Sequence, residues 1–452
     1  MTTKIDRFYR KRYKILGGPG CGKTTEILKM LKKYFEGGLH FDQALMIGFA
    51  KATVENLKDR AQNDKTLSLF FTEKQAESIK TIHKFCRDHL PGYEIFNESA
   101  KTMFKKQIKT DPDNWPKLAD ANYDGSDLIA AGWSEEHDLK FGAIMNLIGL
   151  SKHSLGFEKA VKVGDSYKII KDPLKRIYHF YDEDPDYLRV RFKRPEISYV
   201  YHNFKNFKDH YRMIDFDDML EKALVKNIEF KPYKLVLVDE SQDLSKLEWQ
   251  VISKIAKNTE ELVLVGDDDQ SIYGWKGSDT RIFQKWPCKK ECKRSLPKTH
   301  RLPPAVYNVV MKIQSQIQKR LGTEFECDPS KKGSFRFIDT LKALNGNVNS
   351  KTDMIMCART NNLALNFKRY LIDRGIIFKQ KSFGSDKGTT FKSLFDEEKR
   401  KILIQAWDTL RKGGQIKASL YVDMVKKSLP GMIVYGKKGA LENGDTQPPE
   451  LQ

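Results

Sequence analysis

The chain has 452 residues, 40% of them hydrophobic and 11% aromatic, which allows about three domains with packed cores and excludes a low-complexity or compositionally disordered polymer. Its 80 Lys and Arg against 60 Asp and Glu give a formal charge of +20, a field that holds and steers a polyanion, so nucleic acid is the expected partner. No apolar run approaches the roughly 20 residues that cross a bilayer, so the expected protein is soluble and cytoplasmic, without a membrane partner.

In chain order, a short strand at Tyr13–Leu16 runs into a glycine loop and then an amphipathic helix from Thr24 to Phe35, and a second strand follows at Ala44–Phe49. From Leu90 to Arg212 the sequence turns polar and helix-rich and has the look of an insertion. Two apolar runs, Lys234–Val238 and Glu261–Val265, each end in acidic residues and flank a helical stretch at Lys246–Ala256. Strands alternating with helices predict an α/β fold with a parallel sheet wound on both faces. A strand at Asp353–Cys357 and a helix at Asn362–Arg374 suggest a second α/β unit, and Glu442–Gln452 is a polar tail. Six cysteines (Cys21, Cys86, Cys288, Cys292, Cys327, Cys357) are too scattered for a disulfide framework, and Cys288 and Cys292 have no second pair at zinc-ligand spacing.

The strongest motif is Gly17, Gly18, Pro19, Gly20, Cys21, Gly22, Lys23 and Thr24, a complete G-x-x-x-x-G-K-T between a strand and a helix. Glycines let the backbone curl with its N–H groups inward, and the helix N-terminus adds a positive dipole end, so the loop is expected to cradle a nucleotide triphosphate. Lys23 would reach the β- and γ-phosphates, and the Thr24 hydroxyl would ligate Mg2+. ATP is the expected ligand. A nucleotide kinase or GTPase would share this loop, so the second acidic site decides. Asp239 ends a hydrophobic strand, where it is placed to hold hydrated magnesium, and Glu240 beside it to polarise water. Hydrolysis, not transfer to an acceptor, is the better use of that pair. In the third motif Gln270 is placed to contact the γ-phosphate, while Tyr273 and Trp275 stack on unpaired bases and Lys276 meets the backbone.

Taken together, GGPGCGKTT, TIHKFC, DFDDML, VDESQD, VGDDDQSIYGWKG, THRLP and ARTNN, in this order from Ile15 to Phe378, resemble the UvrD/Rep helicases of superfamily 1. The resemblance implies two RecA-like domains with ATP between them, a helical insertion in each, single-stranded DNA across the top and 3′-to-5′ travel. It assigns 1–89 and 213–288 to the first RecA-like domain, 90–212 to its insertion, 289–383 to a partial second RecA-like domain and 384–452 to the start of a second insertion. By this likeness Lys23, Asp239, Glu240, Gln270 and Arg301 are catalytic, the last reaching the γ-phosphate from the second domain. Thr25 joins the nucleotide loop, and His300 stands where the family stacks a tyrosine on adenine. Phe49, Lys51, His83 and Phe85 fall beside the DNA track with Tyr273, Trp275 and Lys276.

The upstream glutamine that reads adenine, the later glycine-lysine-glycine DNA segment and the last arginine motif have no counterpart here. The expected function is an ATP-dependent helicase or translocase in replication, repair or recombination, acting on single-stranded and 3′-tailed DNA. The alternative is an ATP- and DNA-binding module of little motor activity, whose second domain is completed by a further C-terminal segment or a separate polypeptide.

Overall fold

A computed structural model describes residues 11–338, except 66, 71–76, 110–134, 156–158, 164–165, 171, 184–192 and 226–227, and then 355–358, 361–372 and 409. The chain divides into two compact units, Met1–Ser334 and Phe335–Gln452.

The first unit is built on a six-stranded sheet: β1 (Arg12–Gly17), β2 (Ala44–Gly48), β3 (Ile79–Thr81), β4 (Leu235–Val238), β5 (Glu261–Gly266) and β6 (Lys293–Leu296). The spatial order is β6-β1-β5-β4-β2-β3, and every pairing is parallel. A parallel sheet needs both faces covered, and the sequence supplies this by alternation, since successive side chains point to opposite faces. Leu45, Ile47, Val236, Val238, Leu262 and Leu264 pack on one side with Phe85, Trp249, Ile252 and Phe283. Met46, Leu235, Leu237, Val263 and Val265 pack on the other with Ile27, Leu28, Leu31, Val54 and Leu57. The helices that provide these partners are α1 (Lys23–Glu36) and α2 (Lys51–Asn63) on the second side, and α3 (Ile82–Asp88) and Lys246–Ala256 on the first.

Lys14 breaks the apolar pattern of β1 yet is fully buried. Its Nζ donates to the carbonyls of Phe283 (2.7 Å) and Gln284 (3.1 Å), in the last turn of helix Thr280–Lys285. A buried cation is thereby spent on closing a helix C-terminus.

The expected elements at the start of the chain, at Lys234–Val238, at Lys246–Ala256 and at Glu261–Val265 form within a residue or two of their expected ends. The first α/β domain does not end at residue 288, however. β6 pairs with β1 from Lys14↔Lys293 to Gly17↔Leu296, which carries the sheet into the segment assigned to the second domain. Its sequence, KRSL, is exposed at three of four positions, and so carries little strand signal of its own.

The insertion sits within the first unit and has its own core. α4 (Glu135–Leu155), α5 (Arg194–His210) and the helices Glu98–Lys109 and Pro173–Glu183 bury Phe104, Phe141, Ile144, Leu147, Ile197, Val200, Phe204 and Phe207. The chain returns to the sheet through α6 (Phe216–Val225), followed by α7 (Lys246–Ala256). In the second unit the expected helix forms at Asn361–Ile372, whereas Ile355–Cys357 makes no ladder. The remainder of that expected strand, and almost all of 384–452, lie outside the described residues.

Candidate nucleotide and nucleic-acid site

The phosphate loop leaves the C-terminal end of β1 and enters α1, with Gly20 at φ 72° and Gly22 at φ 86°, a region glycine adopts without strain. Gly22 is the N-cap residue and has no side chain to satisfy the first amides of the helix, which therefore face the loop interior. Lys23 Nζ donates to Gly17 O at 2.9 Å, folding over the loop. Close approach also demands glycine at two positions. A Cβ on Gly18 would lie 2.3 Å from the Phe325 ring, and one on Gly20 would lie 2.3 Å from Arg301 Cβ. Thr299 Oγ1 donates to Pro19 O (2.6 Å) and His300 N to Gly20 O (2.9 Å), so the segment bearing His300 and Arg301 is docked on the loop. Arg301 thus approaches from within the same compact unit as the loop and not from a separate second domain. Cys21 is buried, and burial pushes its thiol up to about 11, leaving it a packing residue.

Asp239 follows β4 and is 2% exposed. Its carboxylate accepts Glu240 N at 2.9 Å, yet burial, reinforced by the Glu240 charge and only partly offset by Lys23, raises its pKa to about 7. Glu240 adopts φ 48°, a left-handed conformation worth about 1–3 kcal/mol of strain in a residue other than glycine. That turn reverses the chain directly after the strand and keeps both carboxylates at its C-terminal edge. A buried carboxylate with raised pKa beside a phosphate loop fits a divalent cation, with Thr24 and Asp239 the residues that would hold it.

Gln242 and Asp267 were not singled out in the sequence, and they join the acidic turn to the third motif. Gln242 Nε2 donates to Glu240 Oε2 (2.9 Å) and Asp243 Oδ2 (3.2 Å), while its Oε1 accepts Asp267 N (2.9 Å). Asp267, fully buried after β5, accepts Gln270 Nε2. Gly266 is glycine because a Cβ there would meet Gln242 Oε1 at 2.5 Å. Burial raises Asp267, and burial with the Glu240 charge raises Asp243 to about 7. Asp268 and Asp269 turn the other way. Asp268 accepts Leu321 N (2.6 Å), and Asp269 takes Arg320 through both oxygens.

The residues expected on a DNA track separate into two groups. Phe49 and Tyr273 pack at 4.9 Å between ring centroids, Tyr273 and Trp275 at 6.3 Å, and Lys276 Nζ lies 5.9 Å from the Tyr273 ring and 6.0 Å from that of Trp275. Trp275 is 59% exposed, so this cluster presents an aromatic face with a cation beside it, and exposed Lys51 opens the helix that follows Phe49. Phe85 is different. It is 1% exposed and packs on Phe230, His89 and Tyr233, so it belongs to the core and corrects the expectation that it meets DNA. His83 is half-buried, edge-on to Phe216, and burial lowers its pKa.

A parallel sheet whose adjacent strands β1, β5 and β4 deliver a phosphate loop, a polar sensor and an acidic pair to one edge defines a RecA-like P-loop nucleotide-binding module. The chain belongs to the family described as UvrD/REP helicase N-terminal domain, which it matches over residues 2–290. It is 35% identical over 92 residues to the ATP-dependent DNA helicase Rep of Buchnera aphidicola, covering 19% of this chain and 14% of that protein. It is 33% identical over 96 residues to DNA helicase II of Escherichia coli, covering 19% and 13%. A longer match, 23% identical over 284 residues, is to the putative ATP-dependent DNA helicase YjcD of Bacillus subtilis, covering 60% and 32%. The matched stretch thus spans a third or less of the length of each of these relatives.

Proposed function

We propose that this chain carries the ATP-hydrolysing part of a motor that moves on single-stranded DNA. The loop amides and Lys23 bind the phosphates, and Lys23 neutralises charge as the γ-phosphate leaves. A magnesium ion bound through Thr24 and Asp239 would supply further neutralisation. Glu240 takes the proton of the attacking water, Gln270 senses the γ-phosphate, and Arg301, docked beside Gly20, adds positive charge on the outer side. His300 lies alongside for the base.

The observation that carries the reading is the relay from Glu240 through Gln242 and Asp267 to Gln270, which leads within a few residues to Tyr273, Trp275 and Lys276. A chain that only bound nucleotide would have no need to tie its water-activating acid to an exposed aromatic face. Travel from 3′ to 5′, a 3′-tailed duplex as substrate and a role in replication, repair or recombination extend this reading through the family.

Magnesium-dependent ATP hydrolysis with and without single-stranded DNA tests it, with Glu240→Gln as the variant that keeps ATP binding while turnover falls by about 10²–10⁴. Strong stimulation by DNA is expected. ATP binding with no stimulation would favour the alternative of a binding module, and 3′-tailed and 5′-tailed duplexes compared in an unwinding assay would test direction.

A further inference from the structure

The return helix α6 opens on Asp215-Phe-Asp-Asp, and its acids take their cations from the insertion. Lys208 Nζ lies 2.5 Å from both Asp215 and Asp218, Lys152 lies 3.0 Å from Asp218 and 3.2 Å from Glu221, and Arg176 lies 3.0 Å from Glu221. These pairs anchor the insertion to the sheet domain. His153, at the end of α4, differs from the rest because it has two arms.

One arm, Nε2, meets Asp217 Oδ1 at 2.8 Å. The other, Nδ1, meets Ser245 Oγ at 2.8 Å, and Ser245 is the N-cap of α7 and bridges to Ser278. Against the same residue, at its Cβ, presses the loop of the third motif. Gly277 stands at φ 87°, where a Cβ would be 2.8 Å from His153 Cβ and 3.0 Å from Ser154 N. The loop from Tyr273 to Gly277 is therefore seated on the end of an insertion helix, with His153 holding that end to α6 and to the cap of α7.

We propose that His153 is a positioning residue that seats the loop bearing Tyr273, Trp275 and Lys276, so that the helical insertion sets the geometry of the aromatic face. Its ring nitrogens meet Asp217 and Ser245, which belong to neither that face nor the phosphate loop. Its effect passes through the Gly277 backbone, whose amide donates to Gly274 O at 2.9 Å, and through Asp279 N, which donates to Leu244 O at 3.1 Å beside Ser245. The functional half of the inference rests on the DNA-motor reading above; the structural half does not.

Hydrogen–deuterium exchange separates the two. In His153→Ala the amides of Lys276, Gly277, Ser278 and Asp279 should exchange about tenfold faster while those of Asp239 to Asp243 keep their rates. His153→Gln, which can still bridge two partners, should restore protection. Single-strand binding by anisotropy should weaken about tenfold in His153→Ala, with basal ATP hydrolysis within twofold. Asp217→Asn, which keeps the shape and removes the charge, should show the same pattern and serves if His153→Ala does not fold. Unchanged exchange at 276–279 in both variants overturns the proposal. Lack of DNA binding by the unaltered chain would instead remove the motor reading, because the exchange measurement involves no DNA.

Discussion

Two acid clusters lie within one compact unit and behave in opposite ways. At the C-terminal edge of the sheet Asp239, Asp243 and Asp267 are buried, and burial raises all three, with the Glu240 charge adding to it at Asp239 and Asp243. At the root of the insertion, burial would raise Asp217 and Asp218 too, but His153 and Lys152 bring Asp217 down to about 2, and Lys152 with Lys208 holds Asp218 well below the carboxylate range. The second cluster has its cations already and is an anchor. The first has Lys23, which offsets the burial only in part, and is kept at a cost to stability, as the proposed metal–phosphate site would require.

The most severe way to break this contrast is to remove the fixed charge at the first cluster. Lys23→Ala should lower ATP hydrolysis by about 10³ or more with the melting temperature nearly unchanged, because its partner is a loop carbonyl and not a buried acid. Near-normal turnover would dismiss the nucleotide site. At the anchor the balance reverses. Lys152→Ala removes the cation that Asp218 and Glu221 share, leaving them Lys208 and Arg176, and should cost about 1–3 kcal/mol in chemical denaturation while nucleotide affinity holds; a loss below 1 kcal/mol would show the network to be ornamental.

The contrast sharpens with pH in magnesium-free buffer. Asp239 folds with a raised pKa, so its folded form prefers the proton, and stability is lost as pH rises from the unfolded value near 4 through about 7. Asp239→Asn should therefore stabilise by about 1–2 kcal/mol at pH 5 and by about 4 kcal/mol at pH 8. Asp217 has the opposite sign: its contribution is present above the unfolded value and fades only toward pH 2, so Asp217→Asn should destabilise at both pH values. Parallel thermal melts of the two variants check this, and matching signs at pH 8 would erase the distinction. The smallest effect is expected on the aromatic face, where Trp275→Ala should weaken single-strand binding by about 1–2 kcal/mol and leave DNA-free hydrolysis alone. An equal loss of both would make Trp275 a packing residue.

How much of this was legible in sequence follows from where the forces act. β2, β4 and β5 are apolar on both faces, β1 is apolar but for Arg12 and Lys14, and each ends in or leads into glycine or acid, so their runs and motifs agree. β3 and β6 sit at the two edges of the sheet, are three and four residues long and carry lysine, so local pattern could not reveal them. The phosphate loop and Asp239 were readable because their chemistry is contiguous. Phe85 was misread since nothing beside it announces Phe230, 145 residues away in sequence, as the ring it packs on. His153 was invisible for a like reason, its partners being 64 and 92 residues distant.

Gln242 carries a further lesson about how a motif is spelled. Its amide is read in only one orientation: the nitrogen serves two carboxylates, and the oxygen serves the amide of Asp267. A glutamate of the same shape would keep the oxygen's duty and fail the other, leaving three acids crowded with no donor between them. A leucine would fill the space and cut the link altogether. The letter between Ser241 and Asp243 is thus fixed by polarity, much as a two-pin connector is keyed, and the position works as a splice between two strand ends.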